Sequence, residues 1–206
     1  MEKKENSLFK DIVIITIITI IAGALLGLVH EITAGPIAEQ EEKTLMAAQA
    51  QVFSDADSFN IVEVGEDEIA AVLEEQGLTK TTINTIYEAD DASGNKLGYV
   101  VDISNMEGYG GEIEVLCGVR VDGDTYTVNS IQFLSISETA GLGMKAKNPE
   151  FMSEFENLEA TQITVIDDGS DATKIDAISG ATITSKSVAK NVNGALVAAQ
   201  YLEGAL

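Results

Sequence analysis

The stretch from Asp176 to Ser185, Asp-Ala-Ile-Ser-Gly-Ala-Thr-Ile-Thr-Ser, combines small residues with closely spaced hydroxyls directly before a long helical pattern. Ser179, Gly180 and Ala181 let the backbone turn sharply and let a bulky group approach it. Thr182 then offers a hydroxyl near the first turn of a helix, where unpaired N–H groups and the positive dipole end favour a phosphate. Lys186 and Lys190 add positive charge on the first turns of an otherwise acidic domain. The combination permits a phosphate-bearing ligand. The plainer reading is that Thr184 or Ser185 caps the helix while Gly180 serves a turn, and on these residues alone that reading is the commoner one.

Other reactive residue types point away from catalysis. Asp167-Asp168-Gly-Ser-Asp171 invites a calcium site, but the loop lacks the glycine at the sixth position and the glutamate at the twelfth that an EF-hand needs. Solvated loop acids explain it more simply. Cys117 alternates with Val115 and Val119 and reads as a core side chain; the lone cysteine excludes an internal disulfide, and zinc-ligand spacing is absent. His30, the only histidine, borders an apolar run, which argues against a Ser/His/Asp triad in the polar part of the chain. Against 12 Lys+Arg stand 34 Asp+Glu, a net charge of -22. Lys3, Lys4 and Lys10 cancel Glu2, Glu5 and Asp11, so the excess lies beyond residue 11. Such a domain repels phosphate backbones, and no nucleic-acid partner is expected.

The elements that must position these residues follow from periodicity and turn chemistry. Ile37 to Ser54 reads as an amphipathic helix after the Gly35-Pro36 punctuation, and Glu66 to Gln76 as a second helix closed by Gly77. Strands are expected over 82–89 and 96–104, joined by DDASGN, and over 112–121 and 125–135, flanking an Asp-Gly turn. A short helix follows Pro149, a strand covers 162–166, and a long helix runs from about Ser185 to Leu202. No repeat occurs. The fold class is α+β, with helices first, a central antiparallel sheet and a closing helix.

Ile12 to Val29 is an uncharged apolar run, long enough as a helix to span roughly 27 Å of a hydrocarbon core of about 30 Å. A cleaved signal peptide fits less well, because the run exceeds the usual h-region of about 7–15 residues and ends without an A-x-A site. Lysines flank only its N-terminal side, whereas Glu31, Glu39, Glu41 and Glu42 follow it. The positive-inside rule therefore predicts a cytoplasmic segment 1–11, a transmembrane helix 12–30 in contact with membrane lipid, and an extracytoplasmic remainder. Within that remainder, 31–80 reads as a helical linker region and 81–206 as the main domain.

Asp176-x-x-Ser179-Gly180-Ala181-Thr182 resembles the flavinylation motif of FMN-binding domains. There, a flavin transferase joins FMN to the final Thr or Ser through a phosphoester. The resemblance implies that Thr182 carries the flavin and that Asp176, Ser179, Gly180, Ala181 and Thr182 form the sequence the transferase recognises; Thr184 is the neighbouring hydroxyl. Gly108-Tyr109-Gly110-Gly111 matches a segment of the G subunit of the Rnf electron-transport complex that opens a central strand. Ser137-Glu138-Thr139-Ala140-Gly141-Leu142-Gly143 resembles that family's ETPGLG loop, which lies against the flavin, with Ala140 in place of the usual proline. Ala140 should loosen the loop's preset backbone angle. By this resemblance Ser179, Gly180, Ala181, Glu138, Thr139, Gly141, Leu142 and Gly143 also contact the flavin, with Lys186 near its phosphate. The protein is expected to be an electron-transfer subunit of a complex that moves electrons between ferredoxin and NAD, coupled to Na+ or H+ transport, with the other membrane subunits as partners. The C subunit of a sodium-pumping quinone reductase is the nearer alternative. A flavin-free anchored scaffold is the alternative of another class.

Overall fold

A computed structural model describes residues 2–165 and 172–206, with side chains from residue 9 onward. Residue 166 and the acids Asp167, Asp168 and Asp171 of the calcium reading lie outside the described residues. The chain divides into two compact units, Met1–Thr44 and Leu45–Leu206.

The first unit is helical and belongs to α1, which spans Glu2–Val52. Its large apolar side chains from Phe9 to Ile32 are exposed, and the helix is long and apolar enough to cross a membrane. The hydroxyls of Thr16, Thr19 and Thr33 donate to the carbonyls of Ile12, Ile15 and Val29, so each of these hydroxyls on the apolar surface has a partner. The break expected at Gly35-Pro36 does not occur: Pro36 lies inside the helix. Helix-forming residues continue on both sides, and their bonds outweigh the one that proline forfeits.

In the second unit, six strands form one antiparallel sheet in the order β1 (Ser58–Ile61), β2 (Thr81–Asp90), β3 (Lys96–Gly108), β4 (Gly111–Asp122), β5 (Thr125–Ile136) and β6 (Leu158–Glu159). A helix, α2 (Glu66–Glu75), sits between β1 and β2 in the chain and ends before Gly77, whose φ of 75° is left-handed as a C-cap requires. After β5 come a 3-10 turn at Gly143–Lys147, α3 (Pro149–Met152) and a second 3-10 turn at Ser153–Phe155. The strand expected over 162–166 shortens to β7 (Ile163–Thr164), which pairs in parallel with β8 (Thr173–Lys174). The closing helix, α4 (Thr182–Leu202), starts three residues earlier than its sequence pattern suggests.

Both faces of the sheet are covered, which explains the nearly continuous apolar runs of β3 and β4. On one face, Val188, Val192, Ala195, Leu196 and Ala199 of α4 join Val101, Ile103, Val115, Cys117 and Val119 in the principal core. Cys117 is fully buried and its thiol is pushed up to about 12 by desolvation, so it behaves as a small apolar side chain. On the other face, Ala48, Val52 and Phe53 at the end of α1 and just beyond it pack with Ala89, Val100 and Leu116. Residues 45–80, the later part of the helical region 31–80, supply part of a core, a helix and an edge strand to the second unit.

Candidate functional site

Three segments distant in sequence meet at one end of the sheet, and close backbone approaches between them explain why glycines occupy the contact points. The first is the β3–β4 turn. Gly108 pairs with Gly111 across it, leaving Tyr109 and Gly110 at the tip. A Cβ on Gly110 would lie 2.0 Å from the Ser137 carbonyl oxygen, so only glycine lets this turn press against the second segment, residues 137–143. There the N–H of Leu142 donates to the Thr139 carbonyl (3.1 Å), and Gly141 takes a φ of 78°, as a type II turn demands at its third position. Ala140 holds the second position, where proline would be preset; the turn closes without it.

The third segment is the start of α4. Ala181 is the N-cap, with no side-chain cap hydrogen bond, so the first N–H groups of the helix receive no side-chain acceptor. Neither Thr184 nor Ser185 caps. Ser185 instead accepts from the Ile178 N–H (3.0 Å) and donates to the Ala181 carbonyl (3.1 Å), locking the turn that carries Ser179 and Gly180. Thr182 is the first helical residue and exposed, while Thr184 is 1% exposed; only the former offers an accessible hydroxyl.

Beneath these segments lies a polar brace. Asn105, fully buried, accepts from the Glu107 N–H and the Ser187 hydroxyl and donates to Thr81 Oγ1. Lys190 pairs with Glu107, whose carboxyl it holds below the usual range. Asn191 donates to the Ile113 carbonyl (2.8 Å). The brace ties the first turns of α4 to the end of β3 and the start of β4.

The segments enclose a cleft of about 530 Å³, a size ordinary for a small-molecule site. Glu138, Thr139, Leu142, Gly143, Gly180, Ala181 and Thr182, all expected at the site from sequence, line it together. Thr184, the neighbouring hydroxyl, lines it too, and so do Tyr109 and Ile183, whose side chains lie beyond the contacts expected from sequence; in the Gly-Tyr-Gly-Gly pattern the glycines carry the local signal, and the aromatic ring between them has none. Other expected residues lie elsewhere. Gly141 is in the supporting turn and does not line the cleft. Asp176 and Ser179 line a neighbouring hollow with Lys145, Asn148, Phe151 and Glu154, and Lys186 lines a third with Val165 and Lys190.

The cleft matches an FMN in three respects. Tyr109, Leu142 and Ile183, exposed by 72%, 45% and 53%, are apolar surface available to a flat ring system. The uncapped start of α4 suits a phosphate. Glu138 Oε1 is buried with no hydrogen-bond partner, an acceptor that a ligand N–H or O–H can satisfy.

Residues 108–197, which contain all three segments, match the FMN-binding domain family. The G subunit of the proton-translocating ferredoxin:NAD(+) oxidoreductase complex of Clostridium ljungdahlii is 34% identical over 95% of this chain and 93% of its own length. The G subunit of the Na(+)-translocating ferredoxin:NAD(+) oxidoreductase complex of Acetobacterium woodii is 30% identical over 98% of this chain and 99% of its own. The G subunit of the ion-translocating oxidoreductase complex of Methanosarcina acetivorans is 32% identical over 95% and 96%. Among solved structures, the C subunit of the Na(+)-translocating NADH-quinone reductase of Parabacteroides distasonis is 22% identical, covering 69% of this chain and 75% of that one with a TM-score of 0.44. With the FMN-binding domain match and identity of 30% or more to G subunits over nearly the full length, the chain belongs to the G-subunit family of Rnf-type ion-translocating ferredoxin:NAD(+) oxidoreductase complexes.

Proposed function

We propose that this protein is the membrane-anchored electron carrier of an Rnf-type complex, holding FMN as a phosphoester on Thr182 and relaying electrons to and from other membrane subunits. The observation that carries this reading is the placement of Thr182: the residue is exposed, lines the cleft and stands at the uncapped start of α4. Bound FMN supplies one- and two-electron redox steps that no side chain offers. The chain's own residues do the holding. The first-turn N–H groups of α4 would face the phosphate charge, Tyr109, Leu142 and Ile183 would cover the ring, and Glu138 and Thr139 would offer polar contacts. A covalent link prevents loss of the cofactor by dilution where no cytoplasmic pool replaces it.

Asp176 and Ser179 face a hollow separate from the cleft, which leaves them accessible to a flavin transferase while Thr182 receives the FMN moiety. The lysines before the apolar run and the acids after it favour an N-terminus in the cytoplasm, with residues 31–206 outside. Ferredoxin and NAD would be handled by the other subunits, and coupling to ion transport belongs to the assembled complex. The test is flavin fluorescence of the denatured full-length chain on a gel, with intact mass, for the wild type and Thr182→Ala, both coexpressed with a flavin transferase and exported. A fluorescent wild type carrying the mass of FMN less water, and a dark mutant, are expected. A dark wild type beside an active transferase would refute the reading and leave an anchored scaffold.

A further inference from the structure

The lining of the cleft includes a carboxylate, that of Glu138, with a buried oxygen that has no hydrogen-bond partner in the protein. A Cβ on Gly143 would lie 2.7 Å from Glu138 Oε2, 2.7 Å from Thr184 Oγ1 and 2.8 Å from Glu138 Cβ, so glycine is what allows the Glu138 carboxyl and the Thr184 hydroxyl to converge there. Glu138 Oε1 is buried and receives no hydrogen bond; among the described residues the only other such atom is Asn191 Oδ1, on the core side of α4. Leaving a buried acceptor unpaired carries its full desolvation cost, and a larger one if the group is charged. Glu138 is also the one residue with an ordinarily charged side chain among those lining the cleft. The remaining walls are apolar side chains, glycines, alanine and threonines, so no lysine or arginine in the cleft offsets it.

We propose that Glu138 is the residue that sets the redox poise of this site: Oε1 accepts a hydrogen bond from a ring N–H or ribityl O–H of the flavin, and its charge disfavours added electron density on the ring. This rests on the assignment of FMN to Thr182 and goes beyond it, giving Glu138 an electrostatic role in addition to its polar contact. The sign follows from Coulomb's law. A fixed negative charge within a few ångströms, in a site drier than bulk water, raises the free energy of the reduced, more negative ring more than that of the oxidised ring. Removing the charge therefore raises the midpoint potential.

The experiment uses the full-length chain in detergent, coexpressed with a flavin transferase, as wild type, Glu138→Gln and Glu138→Ala. Intact mass first establishes that each carries its flavin, and spectroelectrochemical titration then reads the midpoint potential. Both variants are expected to shift upward, favouring the reduced form at least tenfold, which is about 59 mV for a one-electron step. A second readout needs no flavin. In the Thr182→Ala background, Glu138→Gln is expected to raise the melting temperature, because it neutralises an unpaired buried group. Flavin attached with an unchanged or lowered potential in both variants would overturn the role of Glu138 while leaving the attachment intact. A wild type with no covalent flavin would overturn the attachment and, with it, this role.

Discussion

The last turn of α1 and the first turn of α4 are both helix ends laid against the same sheet, and they are finished in opposite ways. At the end of α1, the final carbonyls find donors from β5: Asn129 Nδ2 bonds the Val52 oxygen (3.1 Å) and Ser130 Oγ the Gln51 oxygen (3.4 Å). A register shift in the β4–β5 pairing at this point leaves Asn129 out of the ladder. Arg120 grips Asp55 through both carboxylate oxygens and lies over the Phe53 ring, 4.9 Å from its centre. Gly118 makes room for the whole arrangement, since a Cβ there would be 2.7 Å from the Val52 oxygen. At the start of α4 there is no side-chain cap, Thr182 is exposed, and the Glu138 oxygen nearby is unpaired. One helix end has its hydrogen bonds completed by the protein itself; the other is left for something else to complete. Polar satisfaction thus separates a structural joint from a binding site more sharply than burial or composition does.

Substitutions at the two ends should separate function from stability. Thr182→Ala is expected to have the largest effect, complete loss of covalent flavin, with unfolding free energy changed by no more than about 0.5 kcal/mol because the side chain is exposed. Mass spectrometry and thermal melts of the same sample check both halves. Gly118→Val should do the reverse. Forcing a branched side chain against the Val52 carbonyl is expected to destabilise by about 1–3 kcal/mol while leaving flavin loading near completion in the molecules that fold. Asn129→Ala should follow at about 1–2 kcal/mol, since the Val52 carbonyl loses its donor. Arg120→Ala should cost about 1 kcal/mol at most: its partner Asp55 is more than half exposed and water screens the pair, so the contact with Phe53 carries most of the effect. Chemical denaturation ranks the three. A large loss of flavin in any joint variant that still folds would break the comparison.

The contrast between the ends is only partly legible in the sequence. The four long strands and the final helix stand out because alternation and helical period persist over many residues, and the Asp-Gly turn fixes the β4–β5 hairpin. The residues of the cleft are legible as motifs, since glycines are needed where backbones nearly touch, as at Gly110 and Gly143. What escapes depends on three-dimensional complementarity. Ala181 starts α4 without any capping side chain, so the threonines and serine that follow misplace the helix start by three residues. The strand Ser58–Ile61 is too short to show a period, and Pro36 masks a helix that continues. No local pattern says that Asn129 reaches α1, that Tyr109 lines the cleft, or that Asp176 and Thr182 open into different hollows.

The smallest expected effects come from pH, and they extend the same contrast to the sheet itself. Asn84 donates to both Asp102 (3.0 Å) and Glu114 (3.2 Å), two carboxyls on neighbouring strands. Burial raises the Asp102 carboxyl above its usual range; burial first, and then the Asp102 charge, raises that of Glu114. A carboxyl whose folded pKa is raised binds its proton more tightly in the native state, so stability falls as pH rises from the unfolded value through the folded one. Asp102→Asn removes that penalty. It is expected to melt above the wild type at neutral pH, with the difference closing as the pH drops below the normal carboxylate range. Glu107 provides the opposite sign, since Lys190 depresses its carboxyl. Its contribution is present above the unfolded value and is lost as pH falls through the depressed one. Glu107→Gln should therefore melt below the wild type at neutral pH and converge with it in acid. Melting curves of both variants across about pH 2–7 read the two signs directly. If both variants shifted in the same direction at neutral pH, the distinction between a carboxyl satisfied by a cation and one left to share an amide would fail.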